Sequence, residues 1–178
     1  MKSPSLRYLP IALILLTGCQ TTRKQYQLVY RDNAGIYRVE SAKVRTIRVH
    51  RNPYKVLVKT DLGRLETASL NGLWGCQETG GARRRLYLGN FYEVVQEKNV
   101  VIYRQADFDG SSSDHYYFSK NPDSDILYLS RRNLIMAFSG ETCMQNVVSH
   151  LPRNDWFKIN NKGYFQLLEA CDSCLSLK

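Results

Sequence analysis

The sequence predicts a mainly β protein of the α+β class, an antiparallel meander or barrel-like sheet with one packed helix near residues 140–151. Three observations predict this class. Short apolar segments alternate with polar residues, turn residues separate these segments at short intervals, and twelve Tyr add to frequent Val, Ile and Thr in a chain of 178 residues. Alternation with a period of two is typical of half-buried strands. Aromatic and β-branched residues are enriched in strands.

The first half of the chain is predicted to be a series of hairpins. Strands are expected over residues 27–30, 36–40, 43–50, 54–58 and 64–70. In the fourth of these, Lys55 and Lys59 alternate with valines, which indicates one buried and one charged face. Residues 71–82 hold four Gly around Trp74 and Cys76, and we expect a long irregular loop there. Loops of this length are often functional.

The second half is predicted to add further hairpins and one helix. Strands are expected over residues 83–88, 91–96, 100–105, 115–119, 126–130 and 134–138, and a last hairpin over 156–159 and 164–168. The helix follows from an apolar stripe with the spacing i, i+3, i+4 and i+7, formed by Met144, Val147, Val148 and Leu151. Ser139 is the expected N-cap and Pro152 the expected stop.

The N-terminus carries a second informative pattern. Lys2 and Arg7 precede an apolar run over residues 9–16, which ends in Leu16-Thr17-Gly18-Cys19. This pattern resembles the lipobox of bacterial lipoproteins, the site of their cleavage and lipidation. The resemblance implies that residues 1–18 are a signal peptide and that Cys19 becomes the acylated N-terminus. Lipoproteins of this type carry a diacylglycerol and a third acyl chain, and such multiple chains anchor a protein stably.

The same resemblance predicts the location and organisation of the mature chain. Residue 20 is Gln rather than the Asp that retains enterobacterial lipoproteins in the inner membrane, which implies delivery to the outer membrane. Residues 19–25 are polar and are expected to be a short tether. Residues 26–178 are expected to form a single β-rich domain. The apolar run at 9–16 is too short to span a bilayer, which takes about 20 residues.

The charge of the protein predicts anionic partners. The formal net charge is +9, and removal of Lys2 and Arg7 leaves +7. Arg83–Arg85 and Arg131–Arg132 concentrate part of this charge. Lipid headgroups, lipopolysaccharide phosphates or an acidic protein would be attracted to such a surface. An ordinary solvated basic surface is the simpler interpretation, and nucleic acid is not expected in an outer-membrane compartment.

Five cysteines are present, and four remain once Cys19 is lipidated. An even number in an oxidising compartment predicts two disulfides, in any of three pairings, among Cys76, Cys143, Cys171 and Cys174. The spacing of Cys171 and Cys174 is also that of thiol oxidoreductases, which makes thiol–disulfide chemistry an alternative. Zinc binding by the four thiolates is a third interpretation, but zinc motifs usually contain two closely spaced pairs of ligands, and Cys76 is far from Cys143 in the sequence.

Motifs for catalysis are absent from the sequence. His50, His115 and His150 have no catalytic pattern around them, and the sequence holds no P-loop, HExxH, GxSxG or GxGxxG motif. Three carboxylates and a Gly lie within residues 107–114, which is compatible with a calcium loop. A solvated hairpin tip is the simpler interpretation of that segment. We therefore expect no metal and no cofactor.

These observations favour a non-catalytic outer-membrane lipoprotein that binds other envelope proteins, as an assembly factor or a component of a secretion or surface machine. The expected partner-binding residues are Trp74, Arg83, Arg84 and Arg85, next to the glycine-rich loop.

A second hypothesis comes from the segment that runs from Gly80 through Tyr87 and Tyr92 to Lys98. It loosely resembles the inhibitory stretch of membrane-bound lysozyme inhibitors, which are small β-barrel lipoproteins. This resemblance implies inhibition of a host hydrolase through a Ser and a Lys, and the Ser is missing from the matching place.

Overall fold

The computed structural model describes residues 24–106 and 112–176. In these ranges the chain forms an open antiparallel sheet and three α-helices, which confirms the prediction of a mainly β fold. The strands are β1 (Tyr26–Arg31), β2 (Tyr37–Arg51), β3 (Tyr54–Thr60), β4 (Leu65–Thr67), β5 (Leu73–Glu78), β6 (Arg83–Tyr87), β7 (Asn90–Glu97), β8 (Val101–Ala106), β9 (Ser112–Ser119) and β10 (Leu127–Tyr128). The helices are α1 (Arg131–Ala137), α2 (Thr142–His150) and α3 (Gln166–Leu175).

The sheet consists of two meanders joined side by side. Its strand order is β10-β9-β8-β7-β6-β5-β1-β2-β3-β4, and each neighbouring pair is antiparallel. The join is made by β1, which pairs with β2 on one side and with β5 on the other, where Leu28 lies opposite Cys76. The sheet is not closed, so β4 and β10 are its two edges, and of the two predicted forms the meander is the one adopted.

The expected loop over residues 71–82 is wrong, because most of it is strand β5 at the centre of the sheet. Its glycines allow close packing as well as turns. A Cβ atom on Gly75 would lie 1.9 Å from the carbonyl oxygen of Arg84 in the neighbouring strand β6. A side chain is therefore excluded at this position, and the sequence pattern of a loop conceals a strand. Only the turn at residues 79–82 remains from the prediction.

One helix was predicted, and the structure confirms it as α2, which buries Met144 and Val148. The N-cap residue is Glu141 rather than Ser139, and it makes no side-chain capping hydrogen bond. Two further helices replace predicted strands. The segment 134–138 belongs mostly to α1, which has only seven residues and a single buried one, Leu134. Such a short helix cannot display a periodic stripe.

The last predicted hairpin is also wrong in its second half. An isolated bridge joins Ile159 to Phe165, and α3 begins at the next residue. The buried residues of α3 are Leu167, Leu168, Cys171 and Cys174, which follow a helical spacing once the two cysteines are counted as apolar. Their assignment to disulfides and the short distance to the chain end hid this pattern in the sequence.

The buried side chains form two large clusters. The first lies among β1, β2, β3, β5 and β7 and is built largely from Val, Ile and Leu. The second lies between β8, β9 and the three helices and contains Phe118, Phe138 and Trp156. A smaller third cluster around Tyr103 lies on the opposite face of β8. None of the helices in the described ranges has the length and apolarity that a membrane crossing requires.

Candidate functional site

The predicted partner-binding residue Trp74 is buried, with 6% of its surface exposed. Its indole N–H donates a 3.0 Å hydrogen bond to the carbonyl oxygen of Pro122. Asp123, the next residue, forms an ion pair with Arg31. The segment after β9 therefore folds across the middle of the sheet and covers Trp74.

The three predicted arginines are also occupied within the molecule. Arg83 forms an ion pair with Glu97, and its guanidinium lies 4.4 Å from the ring centre of Tyr37. Arg84 is buried and pairs with Glu78 at 3.0 Å. These contacts stabilise strands β5, β6 and β7 against each other.

Arg85 completes this internal arrangement. It is 6% exposed and donates hydrogen bonds to the hydroxyl of Tyr103 at 3.2 Å and to the carbonyl of Ser124 at 2.8 Å. Arg84, Arg85 and Trp74, which were predicted to contact a partner, are thus buried in the fold. The segment at 120–125 explains this for Trp74 and Arg85, because its carbonyl groups accept their hydrogen bonds, whereas Arg84 is paired with Glu78.

Among the described residues there is one disulfide, between Cys143 in α2 and Cys174 in α3. Cys76 and Cys171 are free and buried. The second expected disulfide is absent because these two cysteines belong to different clusters, Cys76 to that of β1–β3 and Cys171 to that of the helices. The single bond still attaches the C-terminal helix to the body of the fold, as the structural interpretation expected.

The surroundings of Cys171 do not activate a thiol. Burial raises the pKa of Cys171 to about 12, and the neighbouring Asp172 adds to this rise. At neutral pH the group is a protonated thiol, which is a poor nucleophile. Burial likewise raises the pKa of Cys76 to about 12. No three His, Cys, Asp or Glu side chains cluster as metal ligands in residues 24–106 or 112–176.

The lysine of the segment similar to lysozyme inhibitors is engaged inside the fold. The Nζ of Lys98 lies 2.6 Å from Glu169 and 3.0 Å from Asp172, both in α3. Hydrogen bonds to these carboxylates raise the pKa of Lys98. A hydrolase cleft would have to compete with two carboxylates for this side chain.

Two predicted features, the lipidation site with most of the tether and the centre of the proposed calcium loop, lie outside the described residues. Cys19 and the tether residues 19–23 fall before the first described residue. The core of the proposed calcium loop, residues 107–111, is likewise not described. Of the three histidines, His150 contacts the carbonyl oxygen of Asn146 and His115 packs against the ring of Tyr128.

A cationic face does occur on the outer side of β2 and β3. Three cations alternate with inward-facing valines and isoleucine there: Arg48, Lys55 and Lys59. The register of β2 and β3 places the three cations on the same face of the sheet. Arg48 lies opposite Leu57, Lys59 opposite Thr46, and Lys55 opposite His50. Within the described part of the chain, none of the three forms an ion pair. We call these three residues the cationic face.

The cationic face borders two depressions that meet each other. The first is lined by Thr46, Arg48, Leu57, Lys59, Gly63 and Leu65. The second is lined by Lys24, Tyr26, Arg45, Thr46 and Lys59. Thr46 and Lys59 belong to both, so the beginning of the described chain at Lys24 lies beside the cationic face. Arg45 is partly neutralised by Asp61 at 3.5 Å.

The opposite edge of the sheet has a different surface. Strand β10 and helix α1 expose four large apolar side chains, Leu127, Tyr128, Ile135 and Met136. Met136 is 62% exposed. β10 and α1 are held together because the side-chain amide of Asn133 donates to the carbonyl of Tyr128 at 2.8 Å. We call these four residues the apolar edge.

The sequence contained part of the signal for these surfaces. The alternation of Lys55 and Lys59 with valines predicted a charged strand face, and that strand is present. The addition of Arg48 depends on the β2–β3 register, which the sequence pattern did not supply. The apolar edge was missed because its helix α1 was predicted as a strand.

Comparison of the chain with protein-family models, with curated proteins and with solved structures finds no match. The surfaces described above therefore carry the functional argument by themselves.

Proposed function

We propose that this protein is a non-catalytic, lipid-anchored lipoprotein of the outer membrane that binds another envelope protein through the apolar edge. The anchor is inferred from the lipobox-like sequence at Cys19. The apolar edge is the observation that supports protein binding.

Three properties of the apolar edge favour a protein partner. It combines an aromatic side chain with aliphatic and Met side chains, a composition enriched where proteins contact each other. It lies at the end of the sheet, where no further strand covers the side chains of the two-residue strand β10. It also lies at the end of the strand order opposite β4, away from the β1–β3 meander in which the described chain begins. A lipid-anchored domain would therefore keep this edge accessible.

The polar groups of the central strands support a structural role for that region. Arg31, Arg83 and Arg85 are each paired with groups of the same chain. The arrangement holds the sheet and its covering segment in place, and the contact surface for a partner is assigned to the edge instead.

The test is in-cell cross-linking, purification of the lipidated protein and mass spectrometry of what comes with it. We expect a stoichiometric envelope protein that is lost from Met136→Glu and retained by Ile159→Glu. Ile159 is a matched control, because it is 66% exposed and lies outside the apolar edge. Equal recovery from both variants, or no recovered protein from the unchanged chain, would contradict the proposed binding.

The anchor has its own test. The mass of the N-terminal peptide of the purified mature protein should correspond to a chain that begins at an acylated Cys19. A peptide that begins elsewhere, or an unmodified Cys19, would contradict the lipoprotein assignment while leaving the cross-linking result to be judged separately.

A further inference from the structure

We propose that the cationic face of β2 and β3 binds the phosphate groups of the anionic membrane lipids beside the anchor. This inference rests on the proposed lipid anchor and adds a second contact between the protein and the membrane. It is carried by the charges of the face, by its position relative to Lys24 and by the apolar residues that adjoin it.

Two cations of this face have no carboxylate partner among the described residues, unlike most basic side chains of the central strands. Most basic side chains in the β5–β8 strands and at α3 have carboxylate partners, as Arg83, Lys98 and Arg104 do. Arg48 and Lys59 have none among the described residues and line the same depression. Cations that share one sheet face repel each other, and an external anion relieves this repulsion.

The second argument is the length of chain between the anchor and this face. Four residues lie between Cys19 and Lys24, and the five steps of a fully extended chain cover at most about 3.6 Å each, or roughly 18 Å. Lys24 lines the depression that also contains Lys59. An acylated Cys19 therefore holds Lys24, and with it the depression that contains Lys59, close to the lipid headgroups.

The third argument is the apolar surface next to the charges. Leu57 and Leu65 line the depression together with Arg48 and Lys59. Leu62, in the turn between β3 and β4, is 83% exposed. A surface that combines cations with exposed aliphatic side chains suits the boundary between headgroups and acyl chains. An acidic protein would use the charges but is not brought to them by the tether.

The experiment uses the mature chain, residues 19–178, secreted in soluble form with Cys19→Ser. Both large clusters and the disulfide lie within residues 24–176, so this chain keeps every described contact. Its binding is measured by sedimentation with vesicles of phosphatidylcholine that contain 30–40% phosphatidylglycerol, on the order used to mimic an anionic leaflet, and with vesicles of phosphatidylcholine alone.

Two variants with equal loss of charge are compared. The test variant carries Arg48→Gln, Lys55→Gln and Lys59→Gln. The control variant carries Lys120→Gln, Arg132→Gln and Arg153→Gln, three exposed positions in the second half of the chain. Each cation at an anionic surface contributes about fivefold to the partition coefficient, so the test variant should bind on the order of 100-fold more weakly. The control variant should bind within about threefold of the unchanged chain, because its charges are farther from the surface.

Equal binding by the two variants would overturn the inference, since net charge alone would then explain attraction to the vesicles. Absence of binding by the unchanged chain at low salt would overturn it as well and would leave an acidic protein as the partner of this face. Neither result depends on acylation of Cys19 or on capture of a protein at Met136, so the inference and the proposed function fail separately.

Discussion

The two meanders of the sheet are stabilised in different ways, and this difference explains their different surfaces. The core of the β1–β4 meander also includes Cys76 of β5 and Phe91 of β7 and contains no helix residue. The β5–β10 meander packs against three helices, two of which, α2 and α3, are joined by the Cys143–Cys174 disulfide. The first leaves cations on its outer face together with exposed Leu62 and Leu65, whereas the second leaves the apolar edge.

Which side chains are exposed in each meander follows from the face that the meander buries. Ile47 in β2 and Val58 in β3 are buried, which turns their neighbours Arg48 and Lys59 outwards. In α1 only Leu134 is buried, which leaves Met136 exposed. Each surface thus consists of the side chains that are left exposed once the others are buried, and these side chains differ between the two ends of the sheet.

The strongest test of the comparison is at the join between the meanders. Gly75→Ala should reduce the free energy of unfolding by more than about 4 kcal/mol, because the new Cβ would clash with the backbone of β6 and both strands are central. Gly140→Ala is the control, since a Cβ there meets no heavy atom within 4 Å. Urea unfolding measures both. A small effect of Gly75→Ala would mean that β5 and β6 can separate without loss of the fold.

The disulfide gives the next largest expected effect, and it should act on the helical half. It joins residues separated by 31 positions, and a closed loop of that length corresponds to about 3–4 kcal/mol. Reduction should therefore lower the melting temperature of the unchanged chain and of Cys76→Ala, but not that of Cys143→Ala. A melting temperature of Cys143→Ala that still responds to reductant would show that another disulfide stabilises the protein.

Loss of the contacts between the segment at 120–125 and the centre of the sheet should have an intermediate effect on the free energy of unfolding. Arg85→Met removes the hydrogen bonds to Tyr103 and Ser124 and should cost about 2 kcal/mol. Arg132→Met, at an exposed position, should change the unfolding free energy by less than about 0.5 kcal/mol. Equal effects of the two substitutions, measured by urea unfolding, would mean that Arg85 is not buried in these contacts.

The smallest effect is the pH dependence of the contact between β7 and α3. Hydrogen bonds from Lys162 and Lys98 lower the pKa of Glu169 below its usual range. A carboxyl with a lowered pKa in the folded state stabilises the fold above its unfolded pKa of about 4.3, and this contribution is lost as the pH falls through the folded pKa. The urea midpoint of Glu169→Gln should therefore fall less between about pH 6 and pH 3 than the midpoint of the unchanged chain. Parallel midpoints over this range would contradict the role of Glu169.

Much of the fold was predictable, since alternation and turn residues located β1, β3 and β7, and the apolar stripe located α2. The central strand β5 was not, because its glycines have the composition of a loop and act here through close strand packing. Helix α3 was missed because its cysteines were assigned to disulfides rather than to an apolar stripe.

The candidate site was harder to predict than the fold. Arginine is usually exposed, so Arg85 was expected at the surface, and only the segment at 120–125 shows why it is buried. The cationic face required the register between β2 and β3, and the proximity of Lys24 required the tertiary structure. Sequence patterns specify which residues share a strand face but not which strand faces combine.

The most direct test of the account is site-specific photo-cross-linking in living cells, with the photoreactive residue placed in the otherwise unchanged chain at Met136 or at Lys59. The account predicts a discrete protein adduct from position 136 and lipid adducts without a protein adduct from position 59. A protein adduct from position 59 together with none from position 136 would contradict the division of the molecule into a membrane-facing end and a partner-binding edge.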